Sequence, residues 1–402
     1  MNQMKYYKIA SFNIKQFSNN SVFHGGKSDS KKDLDVIANI VTDNDIDIIA
    51  VQEIRGKLAF RELISAIAYG YTKDITADVL EQPGADGERK LITENQGDDY
   101  IACKAGKWEG RWAHPNSKHV TAIGEEGYAF IWNTEKFELP ERESGRRVQP
   151  VIKHKSEYYF VRPPFYGRFV TKNIGPKFEI AILNTHVLYT KNKEIKRLKD
   201  NNIDMDALSD LNLENRETFK ELKEKYGLLP SEMAAYKVML NQTDVERRRS
   251  EVRNLVTEVL EREENKSGRY VFLIGDYNLN IKDSAPIYKN KSATIGSEII
   301  YAAGKPYSST YVIKQVQLST LKTPPNEDKD PNGDYEQLSG INRFANNYDH
   351  VTYNKNLITD RGIEIREPIT LNVLDNSKYG ITNREYFERI SDHLPIVMEV
   401  GF

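Results

Sequence analysis

Apolar positions follow two different periods in the first part of the chain. Residues 6–12 and 46–51 are short apolar runs rich in branched and aromatic side chains, which predicts two buried strands. Apolar residues from Leu34 to Val41, and again from Phe60 to Ile67, recur at the spacing of one helix face. The beginning of the chain therefore predicts strand, helix, strand, helix.

Further apolar runs predict strands in the rest of the chain. They cover residues 99–103, 127–132, 178–183, 270–274, 348–353 and 391–400. Residues 18–32 and 73–97 are polar and contain glycine or proline, which predicts loops. Residues 108–119 are rich in Trp, Arg, Lys and His. We interpret them as a surface loop with buried tryptophan anchors, and contact with a ligand is the alternative.

The pattern changes at about residues 188–243. Charges of both signs are dense there, helix-forming residues dominate, and the strand pattern is lost. This stretch predicts a mostly helical insertion or cap. Residues 247–260 predict another helix, and its Arg247-Arg248-Arg249 run is interpreted as a solvated face. Phosphate contact by these arginines is the alternative.

Length and composition set wider bounds. A chain of 402 residues has room for two or three average domains, or for one large α/β domain with insertions. Its 57 basic and 59 acidic residues give a net charge of −2, which argues against a polycationic protein but permits a local basic groove. The single cysteine, Cys103, excludes an intrachain disulfide and a cysteine-based zinc site. Because residues 1–8 lack the apolar core of a signal peptide and no run reaches the length of a membrane span, we expect a cytoplasmic protein that does not bind membranes.

Polar side chains that suit phosphate chemistry stand where predicted strands end. They are Asn13, Gln52-Glu53, Thr185-His186, Asp276 with Asn278, and Ser391-Asp392-His393. Asp276 and Asn278 are two residues apart on extended chain, so both can face one bound atom. A carboxylate can orient water or a metal ion, and an amide can donate to an anionic oxygen. A strand followed by an Asx turn, in which Asp and Asn are common for backbone reasons, is the purely structural alternative.

In this order, the five segments resemble the endonuclease/exonuclease/phosphatase superfamily, which includes DNase I. Gly-Asp-Xaa-Asn and Ser-Asp-His-Xaa-Pro are moderately specific alone, and together with the upstream Gln-Glu and the intervening Thr-His they are strong evidence. The resemblance covers the chain from about Lys5 to Phe402, apart from the insertion at 188–243 and the long loops. It implies one α/β domain over 1–402 with a four-layer sandwich, in which helices flank two facing mixed β-sheets.

The resemblance also implies a Mg²⁺ site, with Mn²⁺ as a possible substitute. Glu53 matches the family's principal metal ligand, and Asn13 and Asp392 match further ligands or water-mediated partners. A hard divalent ion held by few carboxylates leaves coordination sites for water and phosphate. Arg162, which precedes Pro163-Pro164, and Asn278 are the predicted phosphate contacts.

The catalytic roles are likewise implied by the resemblance. His393 matches the histidine that takes a proton from the attacking water, and Asp349 matches the carboxylate that holds its other ring nitrogen. Asp276 and Asn278 would orient the nucleophile, while His186 would assist the leaving group. Imidazole suits a base near neutral pH because its ordinary pKa lies there.

The predicted function is a Mg²⁺-dependent nuclease, with DNA favoured over RNA as substrate. A phosphomonoesterase or a lipid phosphodiesterase of the inositol phosphatase or sphingomyelinase kind is the first alternative. The Thr-His and Arg-Pro-Pro segments favour the nuclease, as does Ile274, where inositol-phosphate phosphatases often carry Trp. A catalytically inactive binding protein is the second alternative. The insertion at 188–243 is the expected surface for a protein partner, and His350 has no predicted role beyond packing.

Overall fold

The computed structural model describes most of the chain with several gaps. The described residues are 4–18, 32–70, 92–95, 100–114, 126–153, 160–172, 177–189, 192–212, 214–267, 269–282, 294–296, 311–314, 317–325, 329–330, 333–354 and 362–402. Most of the predicted loop at 18–32 and most of the predicted loop at 73–97 lie outside them.

The strands are numbered along the chain. They are β1 (Tyr6–Ser18), β2 (Ile48–Arg55), β3 (Ile92–Asn95), β4 (Tyr100–Ala105), β5 (Trp108–Ala113), β6 (Gly127–Asn133), β7 (Phe137–Glu138), β8 (Val151–Ile152), β9 (Phe165–Thr171), β10 (Glu179–His186), β11 (Tyr270–Asp276), β12 (Asn280–Lys282), β13 (Thr294–Gly296), β14 (Tyr311–Lys314), β15 (Thr320–Leu321), β16 (Phe344–Asn346), β17 (Asp349–Asn354), β18 (Glu364–Ile365), β19 (Ile369–Thr370) and β20 (Ile396–Gly401).

The α-helices are numbered in the same way. They are α1 (Leu34–Asp43), α2 (Lys57–Tyr69), α3 (Asn192–Asp200), α4 (Met205–Ser209), α5 (Arg216–Tyr226), α6 (Pro230–Asn241), α7 (Asp244–Asn254), α8 (Glu261–Ser267) and α9 (Asn383–Arg389). A π-helix at Leu255–Leu260 joins α7 to α8, and short 3₁₀ turns lie at Gly340–Arg343 and Val373–Asp375.

Two large mixed sheets form the centre of the fold. In the described residues the first sheet has the order β18-β20-β1-β2-β6-β5-β4-β3, with β19 beside β20. The second has the order β14-β17-β11-β10-β9-β7, with β8 beside β9. Each contains one parallel pair, β1 with β2 and β10 with β11. Because parallel strands end at the same edge of a sheet, each pair brings two predicted strand ends together.

The side chains that alternate along the strands build three packed interfaces. Tyr7, Phe130 and Trp132 of the first sheet lie in one buried cluster with Phe169 and Phe272 of the second. The opposite face of the first sheet packs on α1 and α2, and the opposite face of the second packs on α7 and the π-helix. Helix, sheet, sheet and helix therefore form four layers, and the predicted sandwich is confirmed.

The stretch predicted to be helical contains α3, α4, α5 and α6. Its buried side chains form a separate cluster that includes Leu198, Tyr236 and Met239 and touches the main fold through Val161 and Leu188. An insertion with its own small core is consistent with a cap on the sandwich. That residues 188–243 form a separable unit stays a prediction.

Two local predictions are wrong. The loop predicted at 108–119 contains β5, whose Trp108 and Trp112 are buried. A strand this polar can be buried because its charges are paired: Arg111 Nη2 lies 2.6 Å from Glu109 Oε1. The loop predicted at 73–97 contains strand β3, which pairs with β4.

The solvated face predicted for Arg247-Arg248-Arg249 is also wrong for its first two members. Arg247 is 3% exposed and Arg248 is 4% exposed. Arg247 forms a 2.8 Å ion pair with Glu251, which is also buried, and donates a hydrogen bond to the carbonyl of Leu188. The run was misinterpreted because helix α7 is covered on two sides, by the sheet and by the helical stretch.

Across the described residues, none of the helices is both long enough and apolar enough to cross a bilayer.

Candidate active site

The predicted strand ends of both sheets meet at one rim of the sandwich. Asn13 lies opposite Gln52 in the β1–β2 pair, and His186 lies opposite Asp276 in the β10–β11 pair. The register of β1 shifts just after Asn13, so the strand bulges there and continues to Ser18. The bulge presents the Asn13 side chain at the rim although the strand does not end there.

A buried amide pair joins the two sheets directly below this rim. Gln52 Nε2 donates to Asn184 Oδ1 at 2.6 Å, and Asn184 Nδ2 donates to the carbonyls of Val51 (3.0 Å) and Ala129 (3.1 Å). Buried amides with several partners hold backbones in one relative position. The pair therefore sets the distance between Glu53, which follows Gln52, and His186.

Glu53 and Asp276 come together across the two sheets. Asn13 Nδ2 lies 3.0 Å from Glu53 Oε1 and 3.1 Å from Asp276 Oδ2, so one amide donates to both carboxylates. The backbone N–H of Gln16 donates to Glu53 Oε2 at 2.8 Å. Glu53 has a φ of 63°, a strained conformation for a residue other than glycine. This conformation turns the side chain back toward the second sheet.

The amide of Asn13 has a defined orientation. The backbone N–H of Lys15 donates to Asn13 Oδ1 at 3.0 Å, so the oxygen must face that N–H and the nitrogen must face the carboxylates. In this arrangement Asn13 positions Glu53 and Asp276 instead of offering an oxygen to a cation. Its predicted role as a metal ligand requires the amide to turn over.

His393 and Asp349 form the predicted pair. Nδ1 of His393 donates to Asp349 Oδ2 at 2.8 Å, and the Ser319 hydroxyl donates to the same oxygen at 2.6 Å. The backbone N–H of His393 donates to Ser391 Oγ at 3.0 Å. With Nδ1 bound, Nε2 faces the cleft 3.6 Å from Asp276 Oδ2.

His186 sits between a cation and the two central carboxylates. Arg162 Nη1 lies 2.9 Å from Nδ1 and 3.3 Å from Nε2 of His186, and since arginine can only donate, the nearer nitrogen Nδ1 is taken as the acceptor. The ring proton is then on Nε2, which lies 3.7 Å from both Glu53 Oε1 and Asp276 Oδ2. His186 is therefore placed to donate a proton into the cleft.

Glu126 is a site residue that the sequence analysis missed. Its Oε2 lies 2.7 Å from Arg162 Nη2 and 3.9 Å from Nδ1 of His186, and its Oε1 lies 3.3 Å from Arg55 Nη2. It directly precedes β6, which runs antiparallel to β2, so the start of β6 lies at the same rim as the end of β2. Searching the starts of antiparallel strands, as well as the ends of strands, would have found it.

Asp276 and Asn278 face different partners. The backbone N–H of Asn278 donates to Asp276 Oδ1 at 2.7 Å, which is the predicted Asx turn. Asn278 Nδ2 donates to the carbonyl of Val187 at 2.7 Å, which leaves the second N–H of that amide for a ligand. The structural and functional interpretations of this segment are thus compatible.

Asp392 and His350 lie outside the centre. Asp392 is partly exposed, with Oδ2 3.5 Å from Lys15 Nζ and Oδ1 4.0 Å from Nε2 of His393. It therefore borders the cleft, while Asp276 is the carboxylate next to Glu53. His350 is fully buried, bonds the carbonyl of Leu279 at 2.9 Å and packs against Tyr277. Its expected packing role is confirmed.

Burial shifts the titration of the central groups. The pKa of Asp276 is raised to about 7, chiefly because the carboxyl is buried and further because Asp349 and Glu53 lie nearby. Burial, and then the charges of Glu126 and Asp392, raise the pKa of Glu53. Burial opposes the protonated form of His393, but Asp349 and Asp276 outweigh it and raise its pKa well above the ordinary value.

These residues fit a divalent cation. The donor atoms of Glu53, Glu126 and His186 lie within 4.8 Å of one another, as do those of Asp276, Asp349 and His393. Carboxylates with raised pKa values carry charge that the protein alone does not compensate, and hard oxygen donors suit Mg²⁺ or Mn²⁺. Glu53 belongs to the first group and Asp276 to the second, and the amide of Asn13 donates to both carboxylates.

Carboxylates and two histidines at one rim of a four-layer sandwich suit the hydrolysis of phosphate esters. The sequence model of the Endonuclease/Exonuclease/phosphatase family matches residues 10–393, and the chain belongs to this family. Members of the family are hydrolases that act on phosphoester bonds and typically depend on divalent metal ions.

The chain is also similar to solved structures of other proteins. The chain is similar to an endonuclease/exonuclease/phosphatase family protein from Bacteroides thetaiotaomicron, with 14% identity, a TM-score of 0.43, and 100% of this chain and 99% of that chain covered. It is also similar to a mannosyl-6-phosphatase from the same species (13% identity, TM-score 0.43, coverage 98% and 100%). A third is truncated TDP2 from Caenorhabditis elegans (10% identity, TM-score 0.44, coverage 99% and 98%). No curated protein sequence matches the chain.

Proposed function

We propose that this protein is a Mg²⁺-dependent phosphodiesterase that cleaves nucleic acid. The observation that carries the proposal is the placement of Nε2 of His393 3.6 Å from Asp276 Oδ2, with Nδ1 held by Asp349. A base and a carboxylate that face each other at this spacing can share one water molecule. Glu53 lies on the other side of Asp276 and supplies the carboxylate for the cation.

The water is activated by His393. In its neutral form His393 donates a hydrogen bond from Nδ1–H to Asp349, which fixes the tautomer in which Nε2 has a free electron pair. Nε2 takes a proton from the water that Asp276 orients, and the resulting imidazolium is stabilised by Asp349. When bound, the divalent cation would stabilise the negative charge on the phosphate oxygens.

His186 assists the leaving group from the opposite side of the cleft. His186 carries its proton on Nε2 and can give it to the departing oxygen, while Arg162 holds Nδ1. Arg162 is itself anchored by Glu126 at 2.7 Å. A guanidinium held in this way is the proposed contact for a phosphate oxygen.

A nucleic acid substrate is supported by the cations around the centre. Arg55, Arg162 and Lys15 all lie at the rim in a chain whose net charge is only −2. Each of these cations is paired with a carboxylate, Glu126 or Asp392, so they offer individual contacts to a phosphate at the site and not a basic surface for nonspecific binding. DNA is proposed ahead of RNA, as the resemblance to DNase I implies.

A substrate panel tests the proposal. Plasmid DNA, single-stranded RNA, a phosphomonoester, a phosphoinositide and sphingomyelin are each incubated with Mg²⁺ or with EDTA. We expect cleavage of nucleic acid that requires Mg²⁺, and plasmid DNA as the best substrate. Hydrolysis of the monoester or of a lipid with intact nucleic acids would refute the nuclease and establish one of the alternative enzymes. An inert protein with all five substrates would instead favour the binding protein.

A further inference from the structure

Arg248 is a buried cation whose hydrogen-bonding groups are incompletely used. Its side chain is 4% exposed, and no hydrogen-bond partner for its Nε or Nη1 is found among the described residues. Its neighbour Arg247 has one such group, Nε, but its other N–H groups pair with Glu251 and bond the carbonyl of Leu188. Burying N–H groups of a cation without acceptors is costly, so a site that keeps them has a use for them when a ligand is bound.

An aromatic ring covers this guanidinium. The guanidinium carbon of Arg248 lies 4.7 Å from the centre of the Tyr189 ring, and the rings of Tyr189 and Tyr348 are 6.3 Å apart. Tyr189 is 52% exposed. A half-exposed side chain changes rotamer readily, so rotation of Tyr189 would open Arg248 to a ligand. The outer face of the same ring is free to stack on a base.

The cluster of Arg248, Tyr189 and Tyr348 adjoins the proposed cleft. Tyr189 follows Val187, whose carbonyl accepts from Asn278 Nδ2. Tyr348 directly precedes Asp349, and its carbonyl accepts the N–H of Tyr277 at 2.8 Å. Two separate segments therefore connect the cluster to residues that face the scissile phosphate.

We propose that Arg248, Tyr189 and Tyr348 form a subsite for a second phosphate group of the substrate, next to the phosphate that is cleaved. The inference rests on the proposed function and adds to it. The guanidinium binds the second phosphate through its unused N–H groups, and the Tyr189 ring stacks on the attached nucleoside. The phosphate is either the neighbouring internucleotide phosphate or a terminal phosphate.

Binding of small nucleotides tests the subsite without any need for catalysis. Adenosine 3′,5′-bisphosphate and adenosine 5′-monophosphate are titrated calorimetrically into the protein in EDTA. We expect the bisphosphate to bind more tightly to the wild type and Arg248→Met to lower its affinity about 10- to 100-fold, with little change for the monophosphate. Arg249→Met removes the same charge from the next position of α7 and should leave both affinities unchanged.

Two further variants separate binding from folding. Arg248→Met should fold normally, because an apolar side chain replaces a buried group that lacks acceptors. If it does not fold, Arg248→Lys keeps the charge without the planar fork and should lose most of the preference for the bisphosphate. Tyr189→Ala should weaken both nucleotides, whereas Tyr189→Phe retains the ring and should bind as the wild type does. An unchanged bisphosphate preference in both Arg248 variants would overturn the subsite.

Oligonucleotides identify the source of the phosphate. Replacing the neighbouring linkage by a neutral methylphosphonate should raise KM for the wild type and not for Arg248→Met if the internucleotide phosphate is bound. If the terminal phosphate is bound instead, removing it should raise KM for the wild type and not for Arg248→Met. An equal change of KM in the wild type and in Arg248→Met, for both modified oligonucleotides, would contradict the inference. Failure of the wild type to cleave any nucleic acid would refute the proposed nuclease, while the bisphosphate titration would still decide the subsite.

Discussion

His393 and Asp349 are 44 positions apart in the chain, yet Nδ1 of His393 lies 2.8 Å from Oδ2 of Asp349. The carboxylate also accepts from Ser319 at 2.6 Å, so two donors hold it in place. Its other oxygen, Oδ1, is buried with no hydrogen-bond partner in the described part of the chain. Such a carboxylate orients the imidazole through one oxygen, which is the geometry of a positioned general base.

Removing the base should therefore affect rate more than binding. We expect His393→Ala to lower kcat about 10²–10⁴-fold with a small change in KM. Asp349→Asn should act in the same direction, because an amide that donates to Nδ1 selects the wrong tautomer. Single-turnover kinetics on a labelled oligonucleotide measure both effects. His350→Gln is the control: it should lower thermal stability while the folded fraction keeps its kcat, and normal turnover of His393→Ala would exclude the base assignment.

Glu53 should be needed for the metal ion and not for the fold. Its pKa is raised in the absence of a cation, so the carboxylate destabilises the metal-free protein. We expect Glu53→Gln to abolish activity, to weaken Mg²⁺ or Mn²⁺ binding in calorimetry, and to keep or increase stability in EDTA. Glu138→Gln, at a surface ion pair with Lys177, is the control and should leave all three unchanged. Wild-type metal affinity in Glu53→Gln would rule out this ligand.

Asp276 should make the stability of the metal-free protein depend on pH. Its pKa is about 7 when folded against an ordinary value of 3.8, so the folded state binds the proton more tightly. The contribution is fully present below about pH 4 and is lost as pH rises through 7. Relative to Asp276→Asn, the wild type should lose about 2–3 kcal/mol of unfolding free energy between pH 5 and pH 8.

Urea unfolding in EDTA at the two pH values measures this difference. Saturating Mg²⁺ should abolish it, since the cation favours the ionised carboxylate. Asp200→Asn, at an exposed position in α3, should show the pH dependence of the wild type. A constant difference between wild type and Asp276→Asn from pH 5 to pH 8 would contradict the raised pKa.

Arg247 and Glu251 should each be needed for stability only while the other is present. Burial lowers the pKa of Arg247 and raises the pKa of Glu251, so desolvation outweighs their attraction for each group. Arg247→Met leaves Glu251 buried without its partner and should cost about 3–5 kcal/mol, whereas Arg247→Met with Glu251→Leu should recover most of the loss. Lys220→Met breaks an exposed pair of the same spacing, with Glu224, and should have little effect. Chemical denaturation measures the unfolding free energy of the wild type and of the three variants. A small loss in Arg247→Met would show that the pair is not desolvated.

Replacing residues 192–241 by a Gly/Ser linker tests the helical stretch. Its buried side chains form their own cluster, so we expect a folded, metal-binding sandwich with an altered preference for substrate length. Leu188 and Tyr189 are retained because the carbonyl of Leu188 bonds Arg247. Cleavage of long and short oligonucleotides is compared with that of a single-phosphate diester, whose rate should be unchanged. The same length preference would show that the stretch does not select the substrate, and an insoluble protein would show that it belongs to the main core.

Much of the fold could be predicted from local pattern. The run at 270–274 and the Gly275-Asp276 step after it predict a buried strand with a polar end, because alternation and turn chemistry act between neighbours in the chain. The same holds for α1 and α2, whose apolar stripes face the first sheet. Predictions failed where burial depends on distant partners. Strand β5 is such a case, because its charged residues Arg111 and Glu109 are bonded by Gln149 and Arg147, each 38 positions further along the chain.

The sequence by itself determined the order and the chemistry of the rim: Asn13, Glu53, His186, Asp276 and His393 are recognisable from the short segments that carry them. Only the tertiary structure decided which of them touch. It placed Asp276 beside Glu53, brought Glu126 to His186 through Arg162, and buried Arg248 beneath Tyr189. Local spacing encodes which face of a strand or helix a side chain occupies, whereas distances across two packed sheets depend on contacts among residues far apart in the chain.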